Sequence, residues 1–88
     1  MQIYGGIEAG GTKFNCYIAT GPENILAEAR IPTTTPDETI TEVIRFFQTN
    51  VPSSTGLAGI GIACFGPLDL DPSSKKYGFI TSTPKPLW

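Results

Sequence analysis

Histidine is absent from the sequence. That removes every His-based triad, every His-containing zinc site and the commonest general base, so any acid–base chemistry here falls to carboxylates. Cysteine is scarce. Cys16 and Cys64 both fall in stretches that read as strands, which favours two reduced core thiols over a disulfide. No apolar run approaches the roughly 20 residues needed to cross a bilayer. The first residues lack the basic stretch and apolar core of a signal peptide, and there is no Asn-x-Ser/Thr acceptor. Charge is sparse as well: six basic and eight acidic residues leave a net −2, which points away from nucleic acid or an anionic membrane as partner. Two phosphate-binding motifs are missing too. A P-loop needs Gly-Lys-Ser/Thr leading into a helix, whereas here Thr12 precedes Lys13 and Phe14-Asn15-Cys16-Tyr17-Ile18 reads as strand. No G-x-G-x-x-G spacing occurs. The composition that remains, 40% hydrophobic and 16% charged over 88 residues, is that of one small globular domain. A chain this short buries only about two-thirds of the surface it exposes when unfolded.

The chain is organised around Gly5-Gly6-Ile7-Glu8-Ala9-Gly10-Gly11-Thr12-Lys13-Phe14. An apolar run delivers an acid, a glycine pair, a hydroxyl and an amine, and a second apolar run leads away. On one reading this strand–turn–strand cradles an anion. Paired glycines reach φ > 0 and leave no Cβ in the way, Thr12 and Lys13 add a hydroxyl and a charge, and Glu8 offers a carboxylate to a hydrated Mg²⁺. On the other reading it is a β-hairpin whose glycines only make the turn. The decapeptide alone leaves both open.

Residues 3–9 suit a strand covered on both faces, and residues 14–19 its return. Thr20-Gly21-Pro22-Glu23-Asn24 is a turn cluster. Residues 25–31 alternate, with Ile25, Ala27, Ala29 and Ile31 on one face and Leu26, Glu28 and Arg30 on the other. Three strands joined by short turns make an antiparallel meander. Thr35 as cap, Pro36 at the first helical position and Glu38 three residues after the cap predict a helix start. Asp37 and Glu38 suit the positive end of its dipole. Ile40, Val43, Ile44 and Phe47 form the expected buried stripe, packed on the sheet, and the helix should end by about Asn50 before Pro52-Ser53-Ser54. Residues 57–65 are the most apolar run, with Gly59 and Gly61 permitting close approach to the first strand. A helix between strands implies a crossover and parallel pairing beside residues 3–9. Gly66-Pro67 turns the chain, Asp69 and Asp71 read as solvated loop acids, residues 77–81 as a short strand, and residues 82–88 as an extended proline-rich segment.

Gly6-Ile7-Glu8-Ala9-Gly10-Gly11-Thr12-Lys13 resembles the phosphate-binding opening of ROK-family sugar kinases, above all the fructokinase branch. The resemblance continues in order and spacing through Thr35-Pro36-Asp37-Glu38-Thr39-Ile40 and Gly59-Ile60-Gly61-Ile62 with Phe65-Gly66-Pro67-Leu68-Asp69. It resumes in Tyr77-Gly78-Phe79-Ile80-Thr81-Ser82-Thr83-Pro84-Lys85-Pro86. It implies an α/β fold of the actin-like ATPase (ribonuclease H-like) kind, with residues 1–88 the N-terminal β-β-β-α-β portion of its first domain, carrying a mixed sheet. Such kinases are several times longer. The implied activity is phosphoryl transfer from MgATP to a hexose hydroxyl, fructose foremost. By resemblance Gly10, Gly11, Thr12 and Lys13 form the first phosphate loop. Glu8 stands where many relatives carry an Asp associated with Mg²⁺-bound water. Gly66, Pro67, Thr83 and Lys85 would border the sugar pocket, and Leu87 replaces a glycine common among relatives, which puts that loop's backbone in question. The implied cofactors are ATP and Mg²⁺, with zinc held by residues further on. The general base, second phosphate loop and adenosine-binding segment also lie further on, so no residue here is assigned catalysis and the 88 residues alone are expected to be inactive. The resemblance further implies a cytoplasmic homodimer at full length, with no nucleic-acid or membrane partner. Other readings are a glucokinase or mannokinase of the same family, or a non-catalytic sugar- or nucleotide-binding member. A repressor of the family is disfavoured, because its helix-turn-helix precedes the glycine motif, which here opens almost at Met1.

Overall fold

Three strands follow one another through tight turns: β1 (Tyr4–Ala9), β2 (Lys13–Gly21) and β3 (Asn24–Pro32). The computed structural model describes residues 2–65, 70–75, 77–78 and 87–88. β1 and β2 pair antiparallel from Tyr4↔Ala19 to Ala9↔Phe14, and β2 and β3 from Lys13↔Pro32 onward. Helix α1 (Pro36–Asn50) then crosses one face and returns the chain to β4 (Gly59–Cys64), which pairs parallel with β1 from Tyr4↔Gly59 to Ala9↔Cys64. The sheet is mixed, in the order β3-β2-β1-β4. The meander, the crossover and the parallel pairing all stand where the sequence places them.

Helix α1 begins as expected. The Thr35 hydroxyl accepts from the Glu38 N–H at 3.2 Å, and Pro36 opens the first turn. Its buried stripe differs from the apolar spacing. Val43 is buried and Phe46 and Phe47 pack partly, but Ile40 and Ile44 are 41% and 50% exposed. The helix leans over β2 and β3, which rotates those two isoleucines off the sheet and brings Thr39 in. Thr39 is fully buried because its hydroxyl accepts from the Thr34 N–H at 2.9 Å and reaches the Pro32 carbonyl at 3.4 Å. The core is Phe14, Cys16, Ile31 and Val43, with Ile7, Ala9, Phe65 and Trp88 packed against it.

Several expectations need correction. β1 is covered on one face only: Gly5, Ile7 and Ala9 face the helix, while Tyr4 and Glu8 on the opposite face are exposed, since the sheet carries a single described helix. Irregular register near Ile18 and Ala19 skips Leu26, so the alternation of β3 breaks there and Ile25 and Leu26 are each half exposed. Every residue of β4 is exposed at the sheet edge, and added Cβ atoms at Gly59 and Gly61 would meet nothing within 4 Å. The close approach falls instead at Gly5, where a Cβ would lie 2.9 Å from Phe47 Cε1. Cys64 is therefore exposed rather than core, and both thiols are free. They sit on strands two ladders apart, about 10 Å, too far for a disulfide. Tyr77 and Gly78 form a turn, with Gly78 at φ 85°; the rest of the strand expected over 77–81 lies outside the described residues. So do Asp69, the Gly66-Pro67 turn and residues 82–86. Asp71 accepts from the Ser73 N–H and hydroxyl at 3.0 and 2.8 Å. Trp88 packs 5.7 Å from Phe14 and from Phe65 and donates its indole N–H to the Thr34 carbonyl at 2.8 Å. Leu87 adopts φ 71°. That is a glycine-favouring backbone at the position where the resemblance leads one to expect glycine, held here at a cost of about 1–2 kcal/mol.

Candidate phosphate-binding site

The turn joining β1 to β2 lies at the carboxyl ends of β1 and β4, where open α/β sheets bind ligands. Glu8, Gly10, Gly11, Thr12 and Lys13 line one open concavity of ≈ 430 Å³ there, with Asn15, Ala63 and Cys64. Gly10 N–H bonds the Lys13 carbonyl at 3.0 Å, which closes the turn. A Cβ at Gly10 would press on that same carbonyl oxygen at 3.0 Å, so any other residue there would have to shift the turn. Neither Gly10 nor Gly11 is in the left-handed region, contrary to the φ > 0 role foreseen for the pair. Gly11 instead contributes open space, with nothing within 4 Å of an added Cβ.

The carbonyls of this turn point inward. Thr33, just past β3, donates its N–H to the Thr12 carbonyl at 3.0 Å and its hydroxyl to the Gly10 carbonyl at 2.8 Å. In a trans peptide the N–H of the next residue points the opposite way. The Gly11 and Lys13 N–H groups are thus turned away from Thr33. Neither they nor the Thr12 N–H has an acceptor among the described residues. Three successive open amides, an exposed hydroxyl and an exposed ammonium are the donors that an anion-accepting nest would use.

Glu8 stands beside the nest on the face away from α1. β1 places it there, opposite Asn15 and level with Ala63 of β4. Tyr17 donates its hydroxyl to Glu8 Oε1 at 2.7 Å. That hydrogen bond is the main cause holding the phenol pKa above its usual value, with some desolvation and the charges of Glu8 and Glu28 adding and Arg30 opposing. A lone exposed carboxylate fits a hydrated Mg²⁺ shared with phosphate oxygens, since that ion keeps several waters and takes one or two carboxylates. It does not make a protein cage, and no group of three His, Cys, Asp or Glu capable of one occurs among the described residues. A larger concavity, ≈ 570 Å³, opens at the start of α1, but Asp37, Glu38 and Glu42 line it. Three carboxylates would repel a polyphosphate, so the smaller site is the candidate.

Gly66, Pro67, Thr83 and Lys85, expected at the sugar pocket, lie outside the described residues. Sequence reasoning missed Thr33 and Tyr17. A usable signal for Thr33 was Pro32-Thr33-Thr34-Thr35-Pro36, where only one of three threonines serves as helix cap.

A mixed, helix-backed sheet with an open strand–turn–strand concavity at its carboxyl edge defines a class of α/β protein. The chain belongs to the ROK family, whose model matches residues 4–88, and its β-β-β-α-β order with a mixed sheet is the opening portion of that family's actin-like fold. It is 49% identical over 88 residues to a protein named fructokinase from Zymomonas mobilis, and 52% identical over 89 residues to one from Streptococcus mutans. Each match covers 99% of this chain and 29% of the relative. A fructokinase from Lactococcus lactis is 52% identical over 85 residues, which are 97% of this chain and 28% of that protein. The chain therefore spans under a third of the length of these relatives.

Proposed function

We propose that these 88 residues are the N-terminal part of the first actin-like domain of an ATP-dependent fructokinase, which transfers the γ-phosphoryl of MgATP to a hexose hydroxyl. The observation that carries this is the row of open amides at Gly11, Thr12 and Lys13 beside Glu8, in a chain about half identical to three proteins named fructokinase. Phosphoryl transfer depends on positioning and charge neutralisation. The nest and the Lys13 ammonium supply part of both, gripping phosphate oxygens without moving a proton. Glu8 would hold water of the Mg²⁺ that accompanies ATP; the metal, when bound, neutralises charge on the phosphates. Gly66, Pro67, Thr83 and Lys85 are assigned to the border of the hexose pocket. The general base and any zinc ligands are assigned to the remainder of the polypeptide. A cytoplasmic homodimer completes the reading.

The full-length polypeptide should release ADP from MgATP when given fructose, faster than with glucose or mannose. Thr12→Ala and Lys13→Ala should each weaken MgATP use by about tenfold, the loss of one charge-assisted contact. The 88-residue chain alone should show no turnover. No ATP consumption with any hexose, or unchanged kinetics in both variants, would overturn the proposal.

A further inference from the structure

Thr33 is assigned no role by the resemblance, yet it makes the two contacts that shape the candidate site. It is buried, at 7% exposure, immediately after β3 and before the cap of α1. Its N–H and hydroxyl reach two different carbonyls of one turn, Thr12 and Gly10, at 3.0 and 2.8 Å. The N–H contact merely extends the β2–β3 ladder by one rung, and any residue but proline could make it. The hydroxyl contact is different. It fixes the Gly10–Gly11 peptide plane, so that the Gly11 N–H on the far side of that peptide faces outward. Without it the Gly10 carbonyl is free to swing toward the Lys13 N–H, the usual closing bond of a four-residue turn, and to take the Gly11 amide inward with it.

We propose that Thr33 is a positioning residue that holds the Gly10–Lys13 turn in its anion-accepting form by fixing the direction of the Gly10 carbonyl. The proposal rests on the phosphate-loop reading of that turn and deepens it: the nest is maintained by a strap from the end of β3. A polyphosphate then meets amides already turned outward and does not have to break a turn hydrogen bond to reach them. Serine can replace threonine in this role, whereas valine, of the same shape, cannot.

The test uses the full-length polypeptide and reads MgATP affinity by calorimetry without sugar, together with the KM values for MgATP and for hexose. Thr33→Val should weaken MgATP binding about tenfold, the scale set by losing one buried hydrogen bond, and leave the hexose KM within about twofold. Thr33→Ser should bind within about twofold of the parent. A general loss of fold would move both KM values and would not be rescued by serine. If Thr33→Val binds MgATP normally while Thr12→Ala and Lys13→Ala bind weakly, the strap is refuted and the phosphate loop stands. If all three bind normally, the phosphate-loop reading fails and the strap with it. Should Thr33→Val not fold, amide hydrogen exchange in the unmutated protein decides. The Gly11 and Lys13 amides should exchange fast without nucleotide and slow when MgATP is added. Protection in the absence of nucleotide, or no slowing with it, overturns the proposal.

Discussion

Tyr17 and Glu8 face each other across the β1–β2 ladder on the exposed side of the sheet, joined by a 2.7 Å hydrogen bond from phenol to carboxylate. Because the folded phenol titrates above its ordinary value near 10 and the unfolded one does not, its contribution to stability is complete below about pH 10. It is lost as pH rises through the folded value. NMR observation of the Tyr17 ring during alkaline titration should find this raised midpoint, and Glu8→Gln should lower it toward the ordinary value. A Tyr17 midpoint unmoved by Glu8→Gln would contradict the assignment of cause. Asp71 shows the opposite case: the Ser73 hydroxyl and N–H hold its carboxyl below the usual range, so the stability it adds is present above its unfolded pKa and lost in acid. At this scale the sequence announces residues whose chemistry is unusual for their place. Glu8 ends an apolar run and Lys13 follows a glycine pair. Tyr17 is an ordinary strand residue and Thr33 an ordinary connecting one, and their importance comes from partners 9 and 23 positions away, which no local pattern reveals.

Elements were legible wherever the signal was local. The Thr35 cap with Pro36 and Glu38 fixes the start of α1, and the turn clusters bound the meander. The buried face of α1 was not legible, because it depends on where the helix comes to rest over β2 and β3. A satisfied hydroxyl at Thr39 therefore displaced Ile40 and Ile44 from the core. The same packing explains why Gly5, and not Gly59 or Gly61, is the constrained glycine: Phe47 rests against its Cα. Gly5→Ala should push Phe47 aside and lower stability by about 1–3 kcal/mol, the usual cost of overpacking, whereas Gly61→Ala should be near neutral. Urea denaturation of both variants in the full-length protein checks this; equal effects would show that Phe47 can yield freely.

The chain is under a third the length of its fructokinase relatives, and its surface carries unusual apolar exposure. Between α1 and β4 runs a groove of ≈ 410 Å³ lined by Ile40, Ile62, Cys64, Phe65 and Trp88 among others. Ile62 is 64% exposed on β4, an edge strand among the described residues, an arrangement that invites pairing with another chain. The 88-residue chain studied alone should bind a hydrophobic dye and self-associate, and Ile62→Lys should reduce both. Dye binding no stronger than that of the full-length polypeptide would show that the groove is not available in the isolated chain.

The parallel pairing of β1 with β4 also sets a timetable. Tyr4 and Gly59 are ladder partners separated by the whole meander and the helix. During synthesis, at about 5–20 residues per second, β1 can find β2 almost at once but waits a few seconds for its second neighbour. The hairpin that carries the phosphate nest can therefore form on the ribosome before the strand that completes its floor exists. Ala63 and Cys64 are the last of the site's lining residues to arrive, so the depth of the site is decided by the strand pairing most distant in sequence.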